Sequence, residues 1–196
     1  MPRNHAHHTA FTNGFYVDEG RDFAVRLLLG YCASGGADAG EVLATIANCP
    51  EEHDLDWSNA WLALGRRLVE AGDASSAAGH RVSAASAYLR ASNYLSQAFD
   101  GLDGFADDEQ RMPIFAEHRA AFEKFLDHGD FTAQRLEIPY EDTTLPGWYL
   151  TPKTGHTGAT LVTINGSDGS VSALWCAAAF GALRRGYGVV LYDGPG

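Results

Sequence analysis

Cysteine, positive charge and long apolar runs are all scarce in this chain. It has three cysteines in 196 residues. Cys32, Cys49 and Cys176 are scattered, odd in number and never spaced C-x-x-C. Such usage supports neither a zinc site nor a disulfide framework, and reduced thiols in a cytoplasmic protein are expected. Lys and Arg number 14 against 25 Asp and Glu, for a net charge of −11. No basic patch exists to neutralise phosphates, which argues against nucleic acid and anionic membranes as partners. The pairs Arg66-Arg67 and Arg184-Arg185 each fall late in a predicted helix, where they complement the helix dipole and meet solvent. No stretch approaches the roughly 18 apolar residues of a membrane span. The N-terminus has no apolar run after Arg3 of the kind a targeting segment needs. His5, His7 and His8 read as part of an unstructured tail rather than a metal site.

What is present is apolar material for one good core or two small ones, at 45% hydrophobic residues. The chain divides near residue 130. From Val17 to His128 the signals are helical. "GRDFAVRLLLGYCA" is apolar nearly all round, and "DAGEVLATIANCP" is stopped by Pro50. "DWSNAWLALGRRLVEAGD" takes Asp56 as N-cap, carries Trp57, Trp61, Leu64 and Leu68 at helical spacing, and stops at Gly72. "SAAGHRVSAASAYLRASNYLSQAFDG" reads as one long Ala-rich helix whose small residues admit a close neighbour. "MPIFAEHRAAFEKFLDHG" puts Ile114, Phe115, His118, Phe122, Phe125 and Leu126 on one stripe, with Pro113 in its first turn. His118 on that stripe is expected to be a hydrogen-bonded core histidine.

After Gly129 the period changes from that of a helix to that of a strand. "AQRLEIPYED" and "LPGWYLTP", joined across Asp142-Thr143-Thr144, predict an antiparallel hairpin. "ATLVTIN" reads as a parallel strand buried on both faces, "SALWCAAAFGALRRG" as a crossover helix and "YGVVLYD" as the next parallel strand. Between the first parallel strand and the helix lies Asn165-Gly166-Ser167-Asp168-Gly169. That is the carboxyl end of a strand, where open α/β sheets place ligands. Its glycines let backbone approach a ligand, and helix-start N–H groups attract negative charge. The turn is therefore built to hold an anion, either a phosphate or a developing oxyanion.

The phosphate alternative is a dinucleotide-binding Rossmann unit, with Asp193 at the end of the next strand as a ribose-binding acid. The G-x-G-x-x-G fingerprint is absent, and only Gly166 and Gly169 stand in the turn. The oxyanion alternative fits more of the chain. An antiparallel hairpin, a third strand, the oxyanion turn, a helix and a fourth strand follow one another in α/β-hydrolases. The same order is read here over Arg135–Tyr140, Pro146–Thr151, Thr160–Asn165, Ser172–Arg185 and Tyr187–Asp193.

The stretch "LPGWYLTP…TLVTINGSDGS…LWCAAAFGALRRGYGVVLYDGPG" resembles the α/β-hydrolase superfamily. More narrowly, it is similar to members with a large N-terminal helical domain, the dihydroxypseudooxynicotine hydrolases and fermentation–respiration switch esterases. The motifs lie in residues 135–196, and a "YLRASNYL" stretch extends the likeness into the helical region. The resemblance implies an α/β fold. A tail over 1–16 would precede a helical cap domain over 17–129, and 130–196 would hold the hairpin and the parallel βαβ unit that open a hydrolase sheet. It implies an enzyme that cleaves an ester, amide or activated carbon–carbon bond of a small molecule, with no cofactor and no metal. It implies that Ser167, after Gly166, offers its backbone N–H to the oxyanion, and that Asp168 sits on the pocket rim. A plain turn or N-cap role is the alternative for Ser167. Asp193-Gly194-Pro195-Gly196 is expected to border the pocket as a structural turn.

The nucleophile that such an enzyme needs is missing. No G-x-S-x-G occurs, and all eight histidines precede the third strand. The expectation is a fragment or truncated product that carries half an oxyanion hole and is inactive alone. A different class also stays open: "WLALGRRLVEAGD" with "AASAYLRASNYLSQA" resembles one tetratricopeptide unit, which would make 17–128 a helical-repeat interaction module. A homodimer is left open as well.

Overall fold

The computed structural model describes residues 14–49, 54–102, 104, 106–166 and 169–194. Among the described residues five α-helices come first: α1 (Glu19–Tyr31), α2 (Ala39–Ile46), α3 (Asp54–Ala77), α4 (Arg81–Asp100) and α5 (Asp108–His128). Asp18, Asp38 and Asp107 cap α1, α2 and α5, each accepting the backbone N–H three residues on. Four strands follow: β1 (Phe131–Tyr140), β2 (Thr143–Pro152), β3 (Thr160–Ile164) and β4 (Gly188–Tyr192). Between β3 and β4 runs one helical segment in three pieces, α6 (Val171–Leu174), a π turn (Trp175–Ala179) and α7 (Phe180–Leu183).

Four helix boundaries differ from the sequence reading. Gly72 does not stop α3, which continues to Ala77. A Cβ at Gly72 would stand 2.5 Å from Tyr88 Cε1, and one at Gly65 2.7 Å from Leu95 Cγ. Both glycines serve the close approach of α3 to α4. The stop is Gly79, left-handed at φ +78°, and it also divides what reads as one long helix from Ser76. α3 begins ahead of Asp56, which lies in its first turn. Pro113 lies inside α5, because the Asp107 cap starts that helix earlier.

The sheet order is β1-β2-β4-β3. β1 and β2 form an antiparallel hairpin from Phe131↔Pro152 to Tyr140↔Thr143. Its loop is Glu141-Asp142, one residue earlier than expected, and Glu141 takes φ +46°. β2 pairs antiparallel with β4, and β3 pairs parallel with β4.

Two cores hold these elements. In the first, Tyr16, Trp57, Trp61 and Tyr94 form a chain of rings 5.4–5.5 Å apart, packed with Val25 and Leu28 of α1. His118 is buried beside α4. Its Nδ1 lies 2.9 Å from the Ser92 carbonyl, and the Ser92 hydroxyl donates to the His118 carbonyl at 3.1 Å. Burial pushes its pKa down to about 4, so it is a neutral core histidine. The second core joins helices to sheet. Tyr88 of α4 and Phe122 and Phe125 of α5 pack with Trp148 of β2, Trp175 and Leu191 of β4.

β3 is not buried on both faces. It is an edge strand among the described residues, and Val162 and Ile164 are 64% and 52% exposed. The apolar run belongs to a parallel strand, but among the described residues no strand pairs with its outer edge. An apolar unpaired edge invites pairing with another chain. The chain should therefore associate as its concentration rises, and Val162→Lys should suppress this in sedimentation velocity. A wild-type chain that stays monomeric throughout would refute the expectation.

Candidate active site

β3 and β4 are parallel and in register, Ile164 opposite Tyr192. Their carboxyl ends therefore stand side by side, and the next residues, Asn165 and Asp193, meet. Asn165 Nδ2 donates to Asp193 Oδ1 at 3.1 Å and to the Gly169 carbonyl at 2.6 Å. Asn165 Oδ1 accepts the Gly194 N–H at 2.9 Å. One carboxamide thus ties the turn after β3 to the turn after β4. Within the first turn, the Gly169 N–H reaches the Gly166 carbonyl at 3.2 Å.

A Cβ built at Gly166 would meet no atom of the described residues within 4 Å, its chain neighbours aside. Gly169 is tight, its Cβ position 3.0 Å from Asn165 Cβ. So one end of the turn is packed against the strand, and at the other no described side chain crowds the backbone. Ser167 and Asp168, the other residues expected to form the site, lie outside the described residues. The N-cap of α6 is Ser170, whose Oγ accepts the Ala173 N–H at 3.2 Å.

Asp193 has a further partner that the sequence reading missed. Arg119 of α5 donates through Nη1 to Asp193 Oδ2 at 2.5 Å, and both side chains are largely buried. The guanidinium also lies over the Trp148 ring at 4.7 Å and near the Phe115 ring at 5.8 Å. Burial pushes the Asp193 carboxyl pKa up, and Arg119 pulls against that. Burial lowers the Arg119 pKa, opposed by Asp193. The signal for Arg119 was its place four residues after Phe115 and three before Phe122, at the border of an apolar stripe. A charge there needs a partner.

With its two oxygens engaged by Arg119 and Asn165, Asp193 is not disposed to hold a ribose. Among the described residues, no group of three His, Cys, Asp or Glu is placed to hold a metal ion. Nor is any helix among them long and apolar enough to cross a membrane. Cys32, Cys49 and Cys176 are free, and burial raises the pKa of each thiol.

No family model matches the chain. Among curated proteins it is 32% identical over 197 residues to the hydrolase acrC of Aspergillus aculeatus, covering 93% of this chain and 46% of that protein. It is 31% identical over 182 residues to the α/β-hydrolase gkaG of Penicillium citrinum, covering 89% and 42%. It is 31% identical over 194 residues to the 20-hydroxy-prefusarin hydrolase of Gibberella moniliformis, covering 96% and 45%. The chain thus spans about half the length of the curated relatives it matches. Among solved structures, the 2,6-dihydroxy-pseudo-oxynicotine hydrolase superposes with a TM-score of 0.69 at 19% identity, over 85% of this chain and 45% of that one. Helices ahead of a mixed sheet, the strand order and these relatives agree: the chain has the α/β-hydrolase fold, with helices before the sheet, and over its length it is similar to proteins named hydrolases and α/β-hydrolases.

Proposed function

We propose that this chain is the N-terminal portion of a serine-triad hydrolase acting on an ester, amide or activated carbon–carbon bond of a small molecule. Residues 17–129 form its helical cap, and 130–196 open its catalytic sheet. The observation that carries the reading is the turn after β3, where Gly166 is exposed and the Asn165 carboxamide is bonded both to Gly169 at the far end of the turn and to Gly194 after β4. The names of the relatives, hydrolases of small molecules among them, support the same class. The free thiols favour a cytoplasmic setting.

In this reading a serine outside these 196 residues attacks the substrate carbonyl, with a histidine taking its proton and an acid orienting the histidine. The carbonyl oxygen becomes an anion. The Ser167 N–H donates to it, and the N–H after the nucleophile supplies the second bond. Gly166 leaves the space in which the oxygen moves, and Asp168 lines the rim. One such donor is worth about 10²–10³ in kcat.

Proline tests this directly, since it lacks the N–H that alanine keeps. In a chimera completed with the C-terminal half of the Aspergillus aculeatus relative, Ser167→Pro should lower kcat about 100-fold. KM should hardly move, and Ser167→Ala should stay close to wild type. Equal rates for the two variants would remove Ser167 from the oxyanion hole.

A further inference from the structure

We infer that Arg119 is a positioning residue: reaching from α5, it holds the backbone ends of the turn after β3 through Asp193 and Asn165. Its value to catalysis rests on the oxyanion reading above, whereas the brace itself does not.

The contacts run without a gap. Arg119 Nη1 donates to one Asp193 oxygen, and Asn165 Nδ2 donates to the other. The same amide nitrogen reaches the Gly169 carbonyl, and the amide oxygen receives the Gly194 N–H. A carboxamide has a donor end and an acceptor end, and both ends are used here. An ionised carboxylate only accepts, so Asp193 points the Asn165 NH₂ toward itself and leaves Oδ1 for Gly194. That ordering needs the carboxylate charged. Asp193 is mostly buried, where a lone anion is costly, and Arg119 supplies the opposing charge. The Trp148 and Phe115 rings beside the guanidinium confine it to one placement.

Without the Arg119 cation, Asp193 takes up a proton or draws in water. A protonated carboxyl competes as a donor with the Asn165 NH₂, and the carboxamide loses the partner that orients it. Gly166 and Gly169 then move relative to the end of β4. A mere staple between α5 and the sheet would use the same ion pair, but its loss would loosen the whole fold rather than the turn.

Amide exchange of the 196-residue chain separates the two. The reporters are Gly194 N–H, bonded to Asn165, and Gly169 N–H, bonded to Gly166. The α3 and α4 amides report global opening. In Arg119→Met, Gly194 and Gly169 should exchange about tenfold faster relative to α3 and α4, the loss of one net hydrogen bond. Arg119→Lys keeps the cation and should recover part of the protection. Asn165→Ala leaves the ion pair in place and should match the Met variant at Gly194. Should Arg119→Met fail to fold, Asp193→Leu, which removes the acceptor instead, is read in the same way. Acceleration at Gly194 and Gly169 no greater than in α3 and α4 overturns the inference. Exchange is measured without turnover, so a failed brace leaves the Ser167→Pro comparison standing, and failure of that comparison leaves the brace standing.

Discussion

The 196-residue chain should hydrolyse p-nitrophenyl acetate no faster than its own Ser167→Ala variant, and a serine-directed phosphonate should not label it. The sequence has no G-x-S-x-G elbow. Among the described residues, two serines touch a histidine ring: Ser92 at His118 Nδ1 and Ser76 at His128 Nε2, at 3.0 and 2.8 Å. The first histidine is sealed in the core and held neutral. Its Nδ1–H is engaged with a carbonyl, so it cannot serve as the base toward Ser92. The second pair has the distance of a nucleophile and its base, and His128 Nδ1 is anchored to the Lys124 carbonyl at 2.7 Å. Yet Ser76 lies in the last turn of α3. A helix C-terminus presents carbonyl oxygens and the negative end of the dipole, which repel an oxyanion. Loss of a serine nucleophile costs on the order of 10⁶ in kcat where it has been separated from the other members of a triad. The expected rate is therefore the background rate, unchanged by Ser76→Ala. Turnover that disappears with Ser76→Ala and is blocked by the phosphonate would show a nucleophile at the wrong end of α3.

Trp148→Ala should be the most damaging single truncation, by about 3–5 kcal/mol. Trp148 is 1% exposed. It stands opposite Leu191 in the sheet, meets Phe122 of α5 edge to face at 5.4 Å and carries the Arg119 guanidinium on its ring. Its loss would open a cavity in the second core and leave Arg119 without its backing. At about 2–4 °C per kcal/mol for a chain of this size, the melting temperature should fall by on the order of 10 °C. Val162→Ala, on the exposed edge, should change stability by only about 0.5 kcal/mol. The far-UV signal comes mostly from helices, so its urea midpoint tests whether a tryptophan in β2 also supports the helical half. An unmoved midpoint would mean that the helices stand on the first core alone.

The element types were legible because their periods are strong. The α5 stripe, with Phe122, Phe125 and Leu126 all buried, and the alternating hairpin are simple patterns. Glycine was harder to read. Gly72 and Gly79 look alike in sequence, but one answers to Tyr88 across a helix pair and the other to a left-handed turn. Burial of β3 was misjudged because composition reports what a strand is suited to face, while exposure depends on which neighbours are there. At the site, the position of the turn between β3 and α6 could be read from local chemistry. The Arg119–Asp193 pair could not, since its members lie 74 positions apart and only Asp193 belongs to a motif.

The π turn at Trp175–Ala179 has a consequence for chain length. Over the twelve steps from Val171 to Leu183, an unbroken α-helix would rotate the second residue about 120° away from the first. Both are nevertheless buried in the same core. The wide turn, closed by the Phe180 N–H on the Trp175 carbonyl, absorbs roughly the rotation of one residue. It therefore acts as a phase correction between the two ends of the segment. Deleting one residue from 175–179 would leave a regular helix of eleven steps, about 20° out of phase, and would keep Leu183 on the core face, whereas straightening the turn at its present length would swing Leu183 toward solvent. The segment thus carries one residue more than a regular helix of the same phase would need.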